Sequence, residues 1–195
     1  MTQYRSEFAF CSMSEEKFAF VAGGWNDTGI LSSVDRFDIK HKKWEQMPQM
    51  NIARQGAGSC SFDGQVYVFC GATNNYGILN SIEKLGSAGS TKSQIPRWQL
   101  INVDENLLMP RWNPAVCVLN STEIVVMGGL ANMDDEVSCL GDVVLYNVVT
   151  GELEKRVQNF TGLTQFQTTG NKCAQFEENT VIALVENNYL DDEEE

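Results

Sequence analysis

The sequence is poor in histidine, in positive charge and in long apolar runs. One histidine, His41, in 195 residues leaves no set of imidazoles for a His-rich metal site or for most His-based catalysis. Asp and Glu outnumber Lys and Arg by 26 to 14, and the net charge of −12 disfavours binding to nucleic acid or to an anionic membrane. No apolar run approaches the roughly 20 residues of a membrane-spanning helix. We therefore predict neither a nucleic-acid nor a membrane partner.

The N-terminus and the cysteines both favour a reducing compartment. The first residues contain no apolar stretch typical of a signal peptide, so we expect a cytoplasmic protein. The six cysteines are then expected as thiols. No CxxC or CxH pair is present, which disfavours a four-cysteine zinc site. The sequence therefore predicts no metal and no cofactor.

A short apolar run recurs along the chain, and the first three copies end in small residues. Their starts are 48, 58 and 57 residues apart, close to the roughly 50 expected for one four-stranded propeller blade. Another apolar stretch and a short polar turn precede each run, which predicts a β-hairpin. Helical periodicity is absent, so the fold is predicted to be all-β. The runs lie at 18–24, 66–72, 124–129 and 181–185.

Two residue types hold fixed places in this repeat. Arg5, Arg54 and Arg111 come 18, 17 and 17 residues before the first glycine of their runs. Four of the six cysteines fall 11 to 13 residues before the ends of their runs. Because equivalent positions share an environment, we expect these cysteines in a small buried apolar slot of each blade. They are Cys11, Cys60, Cys117 and Cys173.

These residues resemble the kelch repeat, in which an apolar strand ends in Gly-Gly and a Tyr and then a Trp follow. Repeat two departs from that motif at Ala72 and Leu85, and repeat three has Leu153 where Trp is expected. The resemblance implies a scaffold role for the motif residues. These are Gly23, Gly24, Phe37, Trp44, Gly71, Trp98, Gly128, Gly129 and Tyr146.

The resemblance implies a kelch-type β-propeller of about three and a half four-stranded blades. Such a segment is an incomplete ring or part of a larger propeller. We expect that upstream blades are missing from the sequence or that a second copy completes the circle, and we favour a partial gene product. The acidic end is predicted to be a disordered tail. The segment covers 1–190, with blades at about 4–46, 52–101 and 109–157, a partial blade at 165–190, and the tail at 191–195.

The resemblance also implies a function, which is non-catalytic binding of a protein partner through loops at one end of the blades. One kind of loop follows each Gly-Gly strand, and the other leads into the next blade. Binding residues commonly lie on loops that a rigid scaffold positions. The candidates for partner contact are Trp25, Asn26, Asp27, Tyr76, Asp134, Asp135, Arg54, Arg111 and Trp112.

Some kelch-type propellers are enzymes, so the resemblance leaves two catalytic alternatives. A copper oxidase needs His and Tyr ligands, but His41 lies between the predicted outer strands of blade one, far from the axial channel. The second alternative is a carbohydrate-acting enzyme of the sialic-acid type, with Arg5, Arg54 and Arg111 and acidic residues around that channel. If each arginine is instead bonded within its own blade, this alternative loses its support.

Overall fold

The computed structural model describes residues 1–13, 17–74, 77–86, 96–133, 136–156, 173–177 and 180–183. The described part of the chain contains eighteen β-strands. No helix in these ranges is long and apolar enough to cross a membrane. The prediction of an all-β fold is confirmed.

Twelve of the strands form three four-stranded antiparallel sheets, each of which is one blade. The last two strands form a separate two-stranded sheet that follows the third blade. Blade one contains β1 (Ala9–Met13), β2 (Phe18–Ala22), β5 (Val34–Asp38) and β6 (Lys43–Met47), with a hairpin of β3 (Trp25–Asn26) and β4 (Gly29–Ile30) between β2 and β5. Blade two contains β7 (Gly58–Phe62), β8 (Gln65–Phe69), β9 (Ile82–Leu85) and β10 (Trp98–Ile101).

Blade three contains β11 (Ala115–Val118), β12 (Glu123–Met127), β15 (Val143–Asn147) and β16 (Leu153–Arg156). A second hairpin, β13 (Leu130–Met133) and β14 (Glu136–Cys139), lies between β12 and β15. The separate two-stranded sheet that follows blade three consists of β17 (Cys173–Glu177) and β18 (Thr180–Ala183). The first strands of successive sheets contact one another in the order β1, β7, β11, β17, as the inner strands of a propeller do. The structure is therefore a series of four-stranded antiparallel blades, the arrangement of an incomplete propeller.

Each blade has two faces, because successive side chains of a strand point to opposite sides. We call the face that carries Phe37 in blade one, Leu85 in blade two and Tyr146 in blade three the front face, and the opposite one the back face. The front face of blade two packs on the back face of blade one, and the front face of blade three packs on the back face of blade two. Burial of these apolar faces joins the blades into one stack.

Strand register places the motif residues at equivalent positions. Phe37 pairs with Trp44 and their ring centroids are 5.0 Å apart, while Leu85 pairs with Trp98. Trp98 comes late in the sequence because the extra residues of repeat two lie between β9 and β10. The predicted equivalence of Trp44 and Trp98 is confirmed.

The glycine pair of blade two is displaced by one residue from its predicted place. Cys70 and Gly71 have φ angles of +60° and +98°, which match the +65° and +91° of Gly23 and Gly24. The next residue, Ala72, forms a backbone bridge with Gln55, just as Trp25 forms one with Ser6 in blade one. The prediction that repeat two departs at Ala72 is therefore wrong. It departs at the first glycine of the pair, where a cysteine takes the left-handed conformation.

Three of the repeated cysteines occupy one slot, as predicted. Each is the third residue of the inner strand of its blade and pairs with a residue of the second strand. The pairs are Cys11 with Phe20, Cys60 with Tyr67 and Cys117 with Val125. All three are 7% exposed, on back faces of the blades. Cys173 is the first residue of β17 and pairs with Ala183, and its place in the slot stays a prediction.

The buried thiols are expected to resist alkylation in the native protein. Burial raises the pKa of Cys11 to about 12 and that of Cys70 to about 11, so little thiolate forms at about pH 8. Cys139, which is partly exposed, should react at least about tenfold faster than either. Peptide mass spectrometry after timed labelling measures the rates, and urea should equalise them. Native labelling of Cys11 at the rate of Cys139 would contradict the buried slot.

Candidate functional site

Arg54 is held inside blade two by four hydrogen bonds. Its Nη1 donates to the carbonyls of Cys70 at 2.8 Å and Ser81 at 3.1 Å. Its Nη2 donates to Ser81 Oγ at 3.3 Å and to the Glu83 carboxylate at 2.8 Å. Both side chains of the Arg54–Glu83 ion pair are fully buried. Burial lowers the pKa of Arg54, and the charge of Glu83 partly offsets this effect. The guanidinium joins the end of β8 to the start of β9.

Arg5 makes the same connection in blade one. Its Nη1 donates to the carbonyls of Gly23 at 2.8 Å and Ser33 at 2.7 Å, and its Nη2 donates to the Asp35 carboxylate at 3.1 Å. Asp35 also accepts hydrogen bonds from the backbone N and the hydroxyl of Thr2. Burial lowers the pKa of Arg5, with Asp35 opposing that shift.

Arg111 is bonded within blade three, with a bidentate carboxylate contact. Its Nη1 and Nη2 donate to the two Asp142 oxygens at 2.7 and 2.9 Å, and Nη1 also donates to the Gly128 carbonyl. Its Nε donates to the Met109 carbonyl at 3.0 Å. Burial by itself raises the pKa of Asp142, but the hydrogen bonds and charge of Arg111 outweigh it and hold that pKa below its ordinary value.

The carboxylate of blade three comes from a different place in the repeat. The carbonyl of Asp142 accepts a bond from the Gly128 amide, as that of Ser81 does from the Cys70 amide. Asp142 is therefore equivalent to Ser81 and lies two residues before the place of Glu83. In blade three, the carboxylate that pairs with the repeated arginine therefore comes from a place two residues earlier in the repeat than in blade two.

The place of Glu83 is taken by Val144 in blade three, and its partner changes with it. Glu83 accepts hydrogen bonds from the backbone and side chain of Asn51, three residues before the blade-two arginine. In blade three the residue at that position is Leu108, which packs in the same apolar cluster as Val144. Both are fully buried. A polar pair in one blade is thus an apolar pair in the next.

The three arginines do not converge on a common pocket. The side chains of Arg5, Arg54 and Arg111 are all 0% exposed, and each guanidinium bonds to the carboxylate and carbonyls of its own blade. The carbohydrate-acting alternative required these groups around one axial channel. That arrangement is not found in the part of the chain that the structure describes.

The two kinds of loop meet at one end of the blades, as the sequence predicts. The Gly24 amide donates to the Arg54 carbonyl at 2.8 Å, and the Arg54 amide donates to the Leu31 carbonyl at 3.1 Å. Blade two repeats the first bond, from Gly71 to the carbonyl of Arg111 at 2.9 Å. We call this end the loop face. Within the described residues it comprises the loops in 25–32, 47–53, 73–80, 102–110 and 130–141.

Trp25 and Asp27 lie exposed on the loop face. Trp25 is 44% exposed, and its backbone N and O each bond to Ser6 at 3.0 Å, so the strand that carries the indole is fixed to the lead-in segment. Asp27, at the tip of the hairpin, accepts a hydrogen bond from the hydroxyl of Tyr4. This bond raises the pKa of Tyr4.

Three candidate contact residues are buried, so the prediction that they present side chains to a partner is wrong. Arg54 and Arg111 are fully buried, for the reasons given above. Asn26 is 7% exposed, because its Oδ1 accepts bonds from the backbone N and hydroxyl of Thr28 and its Nδ2 donates to the Tyr4 carbonyl. Asn26 shapes the hairpin that displays Trp25.

The remaining candidates are less exposed or lie outside the described residues. Trp112 is half-buried, and its backbone pairs with Leu130 through bonds of 2.9 and 2.8 Å. Tyr76, Asp134 and Asp135 are not among the described residues. Their contribution to a binding face stays a prediction.

The two most exposed large side chains near the loop face are not among the sequence candidates. Tyr4 is 63% exposed and Val137, on β14, is 62% exposed. The only sequence feature that could have identified Tyr4 is its position next to Arg5, because the segment that leads into each blade ends at the repeated arginine. Val137 carries no signal beyond its place in a loop.

The described residues do not form a metal centre. No group of three His, Cys, Asp or Glu side chains in these ranges is arranged to hold a metal ion. His41 lies in the exposed turn between β5 and β6, where its Nδ1 is 2.7 Å from Asp38. This turn is at the end of the blade opposite the loop face.

Known proteins with similar sequences carry kelch repeats. Residues 20–51 match the family model of the kelch motif. The chain is 28% identical over 124 residues to Kelch repeat protein C2 of cowpox virus, strain GRI-90 / Grishak, which covers 64% of this chain and 22% of that protein. It is 22% identical over 148 residues to Kelch repeat and BTB domain-containing protein 2 of the same virus, with 72% and 26% covered.

A third relative, Kelch repeat protein C2 of vaccinia virus, strain Western Reserve, is 27% identical over 124 residues, again 64% of this chain and 22% of that protein. The matched segment is thus about a quarter of the length of these relatives. The motif match falls on blade one, from β2 to the lead-in of blade two. The similarity agrees with the architecture and with the repeat positions described above.

Proposed function

We propose that this chain, a segment of a kelch-repeat β-propeller, is a non-catalytic module that binds a protein partner through its loop face. The observation that carries the proposal is a difference in burial between the repeated arginine–carboxylate pairs and the aromatic side chains at the loop face. The repeated arginines and their carboxylates are buried within blades. At the loop face, by contrast, the aromatic side chains of Trp25 and Tyr4 remain accessible, at 44% and 63% exposed.

The chemistry of these side chains suits a protein surface. An exposed indole combines a large apolar area with one hydrogen-bond donor, and Trp and Tyr are enriched among the residues that dominate protein interfaces. The indole of Trp25 stands on a hairpin whose shape Asn26 fixes, so little conformational entropy is lost when a partner covers it. The names of the relatives, which are kelch repeat proteins, agree with an interaction role.

Replacing Trp25 with alanine is expected to weaken partner capture at least about tenfold, since truncation of a central interface aromatic removes a large share of the binding energy. Stability should change little, because the side chain is 44% exposed. Immobilised protein is incubated with lysate, captured proteins are quantified by mass spectrometry, and the affinity of the leading one is measured by titration.

Ile39→Ala provides the matched control. Ile39 is 48% exposed, similar to Trp25, but it lies in the turn at the opposite end of blade one. This variant should capture the same proteins as the wild type. Capture that survives Trp25→Ala and is lost in Ile39→Ala would refute the loop face as the binding surface, and so would the absence of any protein enriched above bare resin.

A further inference from the structure

The loops of the loop face carry ionisable charge of only one sign. The five segments that form this face contain six Asp or Glu and no Lys, Arg or His, although the whole chain has 14 Lys and Arg. Four of the six acids lie among the residues that the structure describes, and all four are exposed. They are Asp27, Asp104, Glu105 and Glu136.

The repeated arginines do not offset this charge, because they are buried beneath the loop face. The side chains of Arg5, Arg54 and Arg111 are 0% exposed, and each is paired with a carboxylate of its own blade. Lys155 and Arg156, exposed at the end of β16 that is next to the loop face, are also in ion pairs, at 3.6 and 2.9 Å. None of the four exposed acids forms an ion pair with another described residue.

The opposite end of the blades has a different charge. In the described segments that join strands there, four exposed Lys or Arg accompany two exposed Asp or Glu. The basic residues are Lys17, Lys40, Lys42 and Arg97, and the acidic ones are Asp63 and Glu152. The purely negative charge of the loops is therefore a property of that face and does not simply follow from the net charge of −12.

Aromatic rings lie beside one of the exposed carboxylates. The hydroxyl of Tyr4 donates a hydrogen bond to Asp27, and Trp25 precedes Asp27 by two residues in the same hairpin. All three side chains are exposed. A carboxylate forms its strongest hydrogen bonds with an ammonium or guanidinium group, and the face of a Trp or Tyr ring attracts a cation within about 6 Å. Both kinds of group at this point therefore favour Lys or Arg.

Exposed apolar side chains accompany the other acids of the loop face. Leu107 is 41% exposed and follows Glu105 by two residues, and Val137 is 62% exposed and follows Glu136 directly. A bound segment can therefore bury apolar area while its charged groups pair at the edge, which is the usual composition of a protein interface.

We propose that the loop face binds a basic segment of its protein partner, one that carries apolar side chains between its Lys and Arg residues. A Lys or Arg side chain pairs with Asp27 and lies against the ring of Trp25 or Tyr4, while others pair with Glu105 and Glu136. Opposite potentials speed the encounter and exclude acidic partners. The inference rests on the proposed function, because it names the kind of partner that the same surface takes.

The test begins with random short peptides displayed on phage and selected on the immobilised chain. The selected peptides are expected to be enriched in Lys and Arg at least about twofold over the input library, and depleted in Asp and Glu. The most frequent peptide is synthesised, and its dissociation constant is measured by titration. Raising the ionic strength to about 1 M, where the screening length is about 3 Å, should weaken its binding.

Asp27→Asn, and independently Glu105→Gln, each remove one charge from the loop face and should raise the dissociation constant of this peptide about three- to tenfold. Asn at position 27 can still accept the hydrogen bond of Tyr4, so the hairpin is retained. Asp63→Asn is the matched control, because it removes the same charge from an exposed turn at the opposite end of the blades. It should leave the dissociation constant unchanged.

The outcomes separate this inference from the proposed function. Peptides that need Trp25 but are not enriched in Lys and Arg would overturn the inference and leave the proposed function intact. The same follows from a dissociation constant that neither Asp27→Asn nor Glu105→Gln raises, or that Asp63→Asn raises equally, since the attraction would then arise from the charge of the whole chain. Peptides that bind Trp25→Ala as tightly as the wild type, or a selection that yields no peptide, would overturn both.

Discussion

Arg54→Ala is expected to lower the free energy of unfolding by about 3–5 kcal/mol, since it leaves Glu83 as a buried charge without its partner. Both side chains are 0% exposed, so water cannot replace the lost guanidinium without opening the blade. The carbonyls of Cys70 and Ser81 lose a donor at the same time. Urea unfolding followed by tryptophan fluorescence measures the change, which is a large part of the roughly 5–15 kcal/mol typical of a domain.

Arg36→Ala is the control for this loss. Arg36 also pairs with a carboxylate, that of Glu45, but the two side chains are 30% and 45% exposed. An exposed pair contributes below about 1 kcal/mol, so this variant should remain close to the wild type. Equal losses in Arg36→Ala and Arg54→Ala would show that burial does not distinguish the two pairs and would contradict the scaffold role of Arg54.

The blade architecture was predictable because it depends on periodicity. Apolar runs spaced by the length of a blade must become strands at equivalent positions, since only stacking buries both of their faces. Even the late Trp98 takes its predicted place, because residues inserted between two strands do not change their register. The three cysteines Cys11, Cys60 and Cys117 follow for the same reason.

The direction of the arginine side chains was not predictable. Spacing places Arg5, Arg54 and Arg111 at equivalent points but does not say whether each guanidinium faces the axial channel or its own blade. Their carboxylate partners lie 30, 29 and 31 residues further on. In blade three the acid is at another position of the repeat, so no single spacing identifies it.

The solvent exposure of individual loop side chains also could not be predicted from the sequence. Asn26 and Trp25 are neighbours in one hairpin, yet the amide is buried and the indole is exposed. The difference arises from side-chain bonds of Asn26 to Thr28 and to the Tyr4 carbonyl, which lies 22 residues away. A polar residue in a turn often bonds its own backbone, and a composition argument does not detect this.

The first position of the glycine pair carries a side chain in blade two, although a β-carbon at Gly23 of blade one would lie 2.2 Å from the Arg54 oxygen, whereas the second position is glycine in all three blades. At the first position, blade two has Cys70 with φ of +60°, close to the left-handed region that ordinary residues can occupy. At the second position the φ angles of Gly24, Gly71 and Gly129 are +91°, +98° and +95°, and all three residues are glycine. A β-carbon there would lie 2.4 to 2.8 Å from the backbone oxygen of the neighbouring lead-in segment.

Gly71→Ala is therefore expected to lower the free energy of unfolding by about 2–4 kcal/mol, from backbone strain together with steric overlap. The new β-carbon would be 2.8 Å from the Gln55 oxygen and 3.1 Å from the β-carbon of Ala57. The Gln55 oxygen accepts the amide of Ala72, so relief of the overlap must break this bridge or move the start of blade two. Urea unfolding again provides the measurement.

Gly151→Ala separates the two causes of this loss. Gly151 also has a positive φ, +75°, but a β-carbon there would meet nothing within 4 Å. Its substitution should cost about 1 kcal/mol through backbone strain alone. If Gly71→Ala cost no more than Gly151→Ala, the close approach of the lead-in segment would contribute nothing. The second glycine would then be required for its φ angle and not for the contact that joins a strand end to the inner segment of its own blade.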